Sequence, residues 1–361
     1  MMTFGRTFRT TLFGTSHGPE VGVVVDGIRR GTVVDVAQLQ TDLDRRRPVG
    51  RRLATRRQEA DRLVVDAGIE DGRATGGSIR AHVANEDVDR APYDAMRATP
   101  RPGHADYPAR VRFGPQADLS GGGIFSGRMT VGLVIAGGIA RGLLDPIGVR
   151  AVAFTTSIGS VTAPPLGDEP FDAIESRCRT NEAGCADAPT SKKMEAAIAD
   201  ARRAGDSLGG IIECRAAGVP VGLGEPFFDS IESEVAHLAF SVPAVKAIEF
   251  GDGFASARAR GTAHNDAFYW DGERVRTLTN HAGGILGGLA TGEPIVFRVA
   301  VKPTASIATE QTTVNLDTHA TVRLVVKGRH DPCIVPRAVV VVESIARVAL
   351  ADLALSGVFI P

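Results

Sequence analysis

The sequence predicts an α+β fold that forms one unit rather than flexibly joined domains. Runs of β-branched residues typical of strands lie at 21–27, 76–83, 209–218 and 294–302, and helical patterns separate them. We find no repeat with a period of about 20 to 50 residues and no Pro/Ser-rich linker. A chain of 361 residues, 43% of them apolar, can bury a large core, so we treat residues 1–361 as a single domain.

Five segments are predicted to be helices. Four of them are long enough to cover a sheet: 36–46, 192–203, 230–240 and 337–355. Asp35 is placed to cap the first of these, and Gln38 stands at the capping-box position. The fifth segment, 129–144, is so rich in Gly, Ala, Val, Ile and Leu that most of its circumference should be buried. We therefore expect it to lie between the layers of the fold.

Charge and cysteine content exclude several classes of protein. Lys and Arg number 41 against 42 Asp and Glu, so the net field predicts neither a nucleic-acid nor a membrane partner. The four cysteines form no CxxC pair and no metal-ligand spacing with histidine, which predicts reduced thiols, a cytoplasmic protein and no metal. The start of the chain lacks the apolar run of a signal peptide. The apolar stretch 131–144 is interrupted by Arg141 and is shorter than the roughly 20 residues of a bilayer span.

A dense arginine cluster occupies residues 45–57, where seven arginines surround Pro48 and Gly50. These turn formers prevent one continuous helix, so the cluster is predicted to form a loop. Guanidinium groups bind phosphate and carboxylate in a bidentate manner, which suits a substrate that carries several such groups. A solvated basic loop or a weak nucleic-acid contact remains the alternative, because charge clusters are commonly surface features.

Two histidines lie in glycine-flanked turns. FGTSHG presents Ser16 and His17, and RPGHAD presents His104 with Arg101 and Asp106 close in sequence. Histidine titrates nearest neutrality, and neighbouring anions favour its protonated, acid-competent form. Turns of this kind also hold structural histidines, so each motif alone leaves both interpretations open.

Two glycine-rich stretches are suited to close approach by a ligand. SGGGIFSGRMT at 120–130 places three consecutive glycines before Ser126 and Arg128, and its backbone amides could hold an anion or a ring edge. NHAGGILGG at 280–288 is a similar stretch. Close backbone packing is the alternative for both, but it does not explain Arg128 at the start of an apolar helix.

Cations cluster again toward the end of the sequence. Arg298 and Lys302 share a strand face by the period of two, and KPTAS at 302–306 adds two hydroxyls that suit a phosphate. GRHDPCIVPR then gathers four charged or titratable side chains before the last helix: Arg329, His330, Asp331 and Arg337. An ion-paired helix entry is the alternative for this group. Together the motifs predict an enzyme that acts on a polyanionic small molecule without a metal.

Eight motifs resemble those of chorismate synthases in order and spacing: FGTSHG, DLDRRRPVG, RPGHADY, SGGGIFSGR, GVPVGLGEPFFDSIES, NHAGGILGG, KPTASI and GRHDPCIVPRAV. The resemblance covers practically the whole chain. It implies a fold in which helices are sandwiched between two antiparallel sheets, with internal duplication. It also implies assembly as a homotetramer and a requirement for reduced FMN.

The resemblance implies a lyase that performs the last step of the shikimate pathway to aromatic compounds. Phosphate and a ring hydrogen leave 5-enolpyruvylshikimate 3-phosphate by an anti-1,4-elimination, with no net redox change. The family's catalytic histidines match His17, an acid near the departing phosphate, and His104, which protonates the reduced flavin. Ser16 and Ser126 match the hydroxyls of a proton relay, and Asp331 matches the carboxylate that assists removal of the ring proton.

The resemblance also implies ligand contacts. Flavin contacts of the family match Ile124, Phe125, Ser126, Ala263, His264, Gly287, Lys302, Pro303, Thr304, Ala305, Ser306 and Arg329. Contacts to the substrate anions or to NADPH are expected at Arg46, Arg52, Arg128 and Arg337. Thr15 replaces a glutamate that is usual in the family, and Ile124 and His264 also depart from its usual residues. Because of Thr15 and Ile124, a paralogue that binds polyanionic ligands without catalysis, or acts on an altered substrate, is the alternative. The sequence carries no dinucleotide fingerprint, which favours an enzyme that receives reduced flavin over one that uses NADPH.

Overall fold

A computed structural model describes residues 2–47, 59–88, 96–114, 116–167, 169–326 and 330–360. Eight α-helices lie within these residues: α1 Val36–Arg46, α2 Asp106–Phe113, α3 Thr130–Leu144, α4 Phe171–Arg179, α5 Ala188–Arg203, α6 Ile231–Ser241, α7 Gly261–His264 and α8 Val335–Ser356. Short 3₁₀ segments lie at Ser120–Phe125, Gly127–Met129, Asp145–Ile147, Phe227–Asp229 and Gly253–Arg258.

The strands of the described residues fall into two large sheets and several hairpins. They are β1 Thr3–Phe4, β2 Arg9–Gly14, β3 Glu20–Asp26, β4 Val64–Ala67, β5 Ile69–Glu70, β6 Arg73–Ala74, β7 Ile79–Ala84, β8 Arg150–Ile158, β9 Val161–Thr162, β10 Gly210–Ala217, β11 Val245–Phe250, β12 Phe268–Trp270, β13 Val275–Thr277, β14 Ile285–Leu286, β15 Leu289–Ala290, β16 Ile295–Val301, β17 Gln311–Asn315 and β18 Ala320–Leu324.

Two five-stranded antiparallel sheets form the outer layers, with strand orders β1-β2-β3-β7-β4 and β11-β16-β10-β8-β9. Their central strands are the runs that the sequence predicted, with ends shifted by a few residues. In β3 the side chains of Val21, Val23 and Val25 are buried, as a strand with one face on the core requires. The buried faces of the two sheets are covered by helices rather than by each other.

Two helices fill the space between the sheets, so the predicted helical sandwich is confirmed. Helix α3 packs on β3 of the first sheet and on α8, and α8 packs on β8 and β10 of the second sheet. Gly137 allows α3 and α8 to approach closely, because a Cβ at this position would lie 2.5 Å from the Cβ of Ser344. Thirteen of the 15 residues of α3 are buried, as predicted.

Capping residues explain where α1 and α5 begin. Helix α1 has the predicted bounds, and the Asp35 carboxylate accepts a hydrogen bond from the backbone N–H of Gln38. Helix α5 begins at Ala188, four residues before the predicted start, because Asp187 caps it and Pro189 is tolerated in its first turn. The bounds of α6 and α8 differ from the predicted ones by one or two residues.

The arginine cluster does not begin as a loop. Arg45 and Arg46 are the last residues of α1, and Arg45 forms a bidentate ion pair with buried Glu343 at 2.9 and 3.0 Å. Burial would raise the pKa of Glu343, but Arg45 and Arg347 outweigh it and hold that pKa below its usual range. Arg45 therefore ties α1 to α8. Residues 48–57 of the predicted loop lie outside the described residues.

One helical segment, Gly127–Ile147, is long and apolar enough to cross a membrane by length and composition. The apolar stretch found in the sequence, 131–144, was shorter because it left out the 3₁₀ turns at both ends of α3. Most of this segment is buried inside the protein, against β3 and α8. That environment is the one of a core helix.

The four cysteines, Cys178, Cys185, Cys214 and Cys333, are free and buried, which agrees with the prediction of reduced thiols. Burial raises the pKa of every one of these thiols, to about 11 at Cys178 and to about 12 at Cys333.

A long connection, residues 251–294, joins β11 to β16. It contains two small hairpins, β12–β13 and β14–β15. Several of its large apolar side chains are exposed, among them Phe254 at 76%, Trp270 at 73% and Leu278 at 69%. This segment therefore adds little to the core.

Candidate active site

A cavity of about 280 Å³ lies where the amino-terminal turns of α3 and α8 meet three loops. The loops contain residues 101–104, 121–127 and 302–306. Its volume is near the lower end of the range for small-molecule sites, about 300 to 1,000 Å³. The cavity thus brings together segments that are far apart in the sequence.

The glycine turn, Gly121–Gly123, forms one side of this region, and all three glycines have positive φ, at 60°, 91° and 53°. A Cβ on Gly121 would lie 1.9 Å from Cε1 of His17, and a Cβ on Gly122 would lie 3.3 Å from Nε2 of His104. Glycine is therefore required here for the backbone conformation and for space. The turn separates the two histidines that the sequence singled out.

Ser16 and His17 lie just behind the glycine turn. Ser16 is fully buried and His17 is 6% exposed. The Ser16 backbone N–H donates to the carbonyl of Gly123 at 3.3 Å, and the Ser16 Oγ lies 3.2 Å from the His17 Nδ1. Neither residue lines the cavity, but Gly121, on which His17 packs, does.

His104 lines the cavity directly. Its Nδ1 lies 2.5 Å from an oxygen of Asp106, and the Arg101 Nε donates to the other oxygen of the same carboxylate at 2.7 Å. The three residues precede or begin α2. The RPGHAD motif is thus one hydrogen-bonded unit.

Ser126 and Arg128 mark the entry to α3. The Ser126 Oγ accepts a hydrogen bond from the backbone N–H of Arg128 at 3.2 Å. Arg128 donates through Nε to Asn85 at 2.8 Å and forms an ion pair with Asp61. These bonds hold the guanidinium at the cavity wall, which explains a cation at the start of an apolar helix.

Arg46 lies beside Arg128 and is bound to the same carboxylate. Its Nη1 is 3.2 Å from Asp61, and its Nε donates to Thr130 Oγ1 at 3.0 Å. Burial, with nearby Arg337 and Arg128, lowers the pKa of Arg46 to about 9, although Asp61 opposes the shift. Arg46 stays charged at neutral pH, and a bound anion would offset the cost of burying that charge.

The segment 302–306 follows β16. Lys302 Nζ donates to the carbonyl of Gly103 at 2.9 Å, and burial, followed by the charge of Lys246, lowers the pKa of Lys302. Ser306 Oγ accepts from Arg101 Nη1 at 3.1 Å. Lysine and hydroxyl groups thus lie side by side at one end of the cavity.

Arg298 does not share this site with Lys302, contrary to the interpretation of the strand alternation. Its Nε donates to Glu249 at 2.8 Å, and its Nη1 lies 3.3 Å from Glu213. Lys302 directly follows β16, and burial continues to alternate through it. The two residues differ because the carboxylates of Glu249 and Glu213 bind the Arg298 guanidinium, which does not line the cavity.

Asp331 and Arg337 form an ion pair at the entry to α8, with 2.5 Å between Oδ2 and Nη1. Arg337 also donates through Nε to the carbonyl of Arg46 at 3.0 Å. Both side chains line the cavity. The ion-paired helix entry and the cation-rich site are therefore the same structure.

Positive charge dominates the cavity. Among the described residues that line it, five are Lys or Arg and two are Glu or Asp. The described part of the chain holds no group of three or more His, Cys, Asp or Glu side chains placed to bind a metal ion. An anion with several charged groups is the ligand that this lining favours.

Some predicted contacts lie away from the cavity or outside the described residues. The predicted flavin contacts that do not line it are Ile124, Ala263, His264, Gly287 and Pro303. Ala263, His264 and Gly287 belong to the connection 251–294, where the His264 ring stacks on that of His281 with centroids 5.5 Å apart. Arg52 and Arg329 are not among the described residues.

Sequence reasoning missed an apolar wall of the cavity. Val242 and Pro243, in the turn between α6 and β11, line it together with Ile334, Ala338 and Val341 of the α8 region. Ile334 and Ala338 lie within the motif GRHDPCIVPRAV, but that motif was interpreted through its charged residues. No motif marks Val242, Pro243 or Val341, because apolar side chains at helix ends are usual in a core. The carboxylates of Glu59 and Asp61, which neutralise part of the arginine charge, were also missed.

Comparison with known proteins agrees with this geometry. The family model described as chorismate synthase matches residues 8–355. Chorismate synthase of Dehalococcoides mccartyi is 44% identical over 361 residues, covering 99% of this chain and 98% of that protein. Chorismate synthase of Korarchaeum cryptofilum is 46% identical over 349 residues, covering 97% and 96%. A crystal structure of chorismate synthase has the same fold, with a TM-score of 0.77 over 98% of this chain and 93% of that one, at 24% identity. The chain therefore belongs to the chorismate synthase family.

Proposed function

We propose that the protein converts 5-enolpyruvylshikimate 3-phosphate into chorismate, a lyase reaction that eliminates phosphate and requires reduced FMN without net redox change. The observation that carries this proposal is the cavity itself. It combines an excess of cations with a histidine, His104, a serine, Ser126, and a carboxylate, Asp331. A substrate with one phosphate and two carboxylates matches the excess of Lys and Arg side chains.

The described residues also fit a flavin mononucleotide. Val242, Pro243 and Ile334 supply an apolar wall for a planar ring. Lys302, with the hydroxyl groups of the segment 302–306, supplies a cation and donors for a phosphate. When bound, reduced FMN would supply the electron density that assists loss of phosphate from the substrate.

The chain's own groups would bind the substrate anions and move protons. We assign Arg46, Arg128 and Arg337 to the anions, since their guanidinium groups are held at the cavity wall by other protein groups. Asp331, beside Arg337, would accept the ring proton. His104 would exchange a proton within the cavity.

His17 and Ser16 would act from behind the glycine turn. Because Gly121 has no side chain, the His17 imidazole packs directly against this residue, which lines the cavity. We propose that His17 protonates the departing phosphate, with the Ser16 hydroxyl as a relay. Their burial keeps water away from this proton.

Exposed apolar groups support assembly as a homotetramer in this proposal. Phe227 and Phe228 are 86% and 90% exposed, and their loop lies beside the hairpin β14–β15, since Gly224 bridges Leu289. Surfaces of this kind usually mark protein contacts. A monomer in analytical ultracentrifugation would contradict the assembly.

The free, buried thiols are consistent with a cytoplasmic location in this proposal.

An anaerobic assay tests the proposed reaction. Purified protein with dithionite-reduced FMN and 5-enolpyruvylshikimate 3-phosphate should form chorismate and release phosphate in equal amounts. A second reaction with oxidised FMN and NADPH should be inactive, because we propose an enzyme without its own flavin reductase. No chorismate in the first reaction, with binding of the substrate retained, would instead favour a non-catalytic paralogue.

A further inference from the structure

The carboxylate of Asp106 collects the polar groups of the RPGHAD turn. It accepts hydrogen bonds from the backbone N–H, Nε and Nη2 of Arg101 at 3.1, 2.7 and 2.8 Å. It also lies 2.5 Å from His104 Nδ1. Arg101 and the His104 imidazole therefore share the Asp106 carboxylate as their acceptor.

The arrangement is largely shielded from water. The side chains of Arg101, Asp106 and His104 are 6%, 12% and 20% exposed. Burial would raise the pKa of Asp106, but the hydrogen bonds from Arg101 and His104 outweigh it and lower that pKa below its usual range. Asp106 is therefore ionised at neutral pH.

The charge of Asp106 decides which nitrogen of His104 carries hydrogen. Two groups of opposite kind lie near His104 Nδ1, the Asp106 carboxylate at 2.5 Å and Arg101 Nη2 at 3.0 Å. An ionised carboxylate can only accept hydrogen bonds, and a guanidinium can only donate them. Because Arg101 Nη2 already donates to Asp106 at 2.8 Å, the shorter contact assigns the hydrogen to Nδ1. In the neutral ring, Nε2 is then the acceptor. This atom faces the glycine turn, 3.3 Å from the position that a Cβ on Gly122 would take.

Arg101 links this unit to the segment 302–306. Its Nη1 donates to Ser306 Oγ at 3.1 Å, while Lys302 Nζ donates to the carbonyl of Gly103 at 2.9 Å. The loop that carries His104 is thus fastened at two points to the segment proposed to hold the flavin phosphate.

We propose that Asp106, held by Arg101, is a positioning residue that fixes His104 as the Nδ1–H tautomer with Nε2 toward the glycine turn. The part of this inference that concerns turnover rests on the proposed function. The part that concerns the tautomer does not, because it can be measured on the ligand-free protein.

The test is Asp106→Asn, compared with Asp106→Glu and with Asp317→Asn. Asp317 pairs with Arg110 of α2 at 3.0 Å and is 63% exposed, so its substitution removes a carboxylate from the same region without contact to His104. The amide of Asp106→Asn can donate to Nδ1, which would move the ring hydrogen to Nε2.

The expected readouts are spectroscopic and kinetic. In ¹⁵N NMR the ligand-free wild type and Asp317→Asn should show hydrogen on Nδ1 of neutral His104, and Asp106→Asn should show it on Nε2. Turnover of Asp106→Asn should fall about 10²-fold, within the range of a lost proton-transfer group, with the substrate KM little changed. Asp106→Glu should restore the tautomer and part of the turnover.

Two results would overturn the proposal. One is hydrogen on Nε2 in the wild type, which decides the matter even if Asp106→Asn does not fold. The other is an unchanged tautomer in a folded Asp106→Asn. If the wild type makes no chorismate but shows the expected tautomers, the proposed function fails and the positioning role remains.

Discussion

The two histidine turns on either side of the glycine turn are positioned near the cavity by different means. His104 lines the cavity, and a buried ion pair orients it. His17 is almost fully buried, contacts Ser16, and packs on a residue that has no side chain. One site depends on charge and the other on the absence of a methyl group. Substitutions should therefore damage them in distinguishable ways.

The largest effect is expected for Gly121→Ala. The added Cβ would overlap the His17 imidazole, at 1.9 Å from Cε1, and the position has a φ of 60°. We expect turnover to fall at least as far as in His17→Ala. Gly114→Ala is the control, because Gly114 also has positive φ but nothing within 4 Å of its Cβ position. Normal turnover in Gly121→Ala would contradict a role for His17 against Gly121.

His17→Ala should slow turnover by about 10² to 10⁴-fold, the range typical of general acid catalysis. Its affinity for FMN should stay close to that of the wild type, because His17 does not line the cavity. Single-turnover kinetics and fluorescence titration of FMN separate the two quantities. A large loss of FMN affinity with normal turnover would contradict the assignment.

His104→Ala should slow turnover by about 10²-fold and should also change the spectrum or the pH dependence of the bound reduced flavin. The second effect is the one that His17→Ala should lack. Absorbance spectra of the reduced, anaerobic complexes test it. If both alanine variants kept near-normal turnover, both histidines would be structural residues of their turns.

The smallest effect on turnover is expected for Lys302→Ala, which lies on the His104 side of the cavity. Loss of a charged hydrogen bond should weaken FMN binding about tenfold or more, with turnover at saturating FMN unchanged. Lys246→Ala is the control, since Lys246 influences Lys302 by charge but does not line the cavity. Slower turnover at saturation with unchanged affinity would refute this role.

Lys302 should also make flavin binding depend on pH. Burial, followed by the charge of Lys246, lowers the pKa of Lys302 in the folded protein, so its charge is lost at a lower pH than that of an ordinary lysine. FMN affinity of the wild type should therefore decline on the alkaline side before a normal lysine would titrate. The decline should be absent in Lys302→Ala.

Local signals predicted five of the eight helices in the described residues and the site in part, whereas α2, α4 and α7 were not predicted. Asp35 and Gln38 gave the start of α1, and the composition of 129–144 gave a buried helix, because capping and burial act on neighbouring residues. The placement of His17 beside Gly121 was not predictable from periodicity, since it depends on contact between segments that are 104 residues apart in sequence.

Two kinds of residue were beyond the reach of sequence patterns. Val242 and Pro243 are apolar, so nothing distinguishes a cavity wall from ordinary core until the helices are placed. Arg298 was misassigned because its partners, Glu213 and Glu249, come from two neighbouring strands. Strand order, which pairs these residues, is not encoded in the local alternation.

The buried cysteines provide a built-in probe of how the protein opens. Since a thiolate is the reactive form, and burial raises the pKa of Cys178 to about 11 and of Cys333 to about 12, an alkylating reagent will label them chiefly when their surroundings unfold. Cys333 is two residues from Asp331, which lines the cavity, whereas Cys178 lies in α4. The ratio of the two labelling rates, followed by mass spectrometry, would therefore report how much a ligand protects the cavity beyond the rest of the fold.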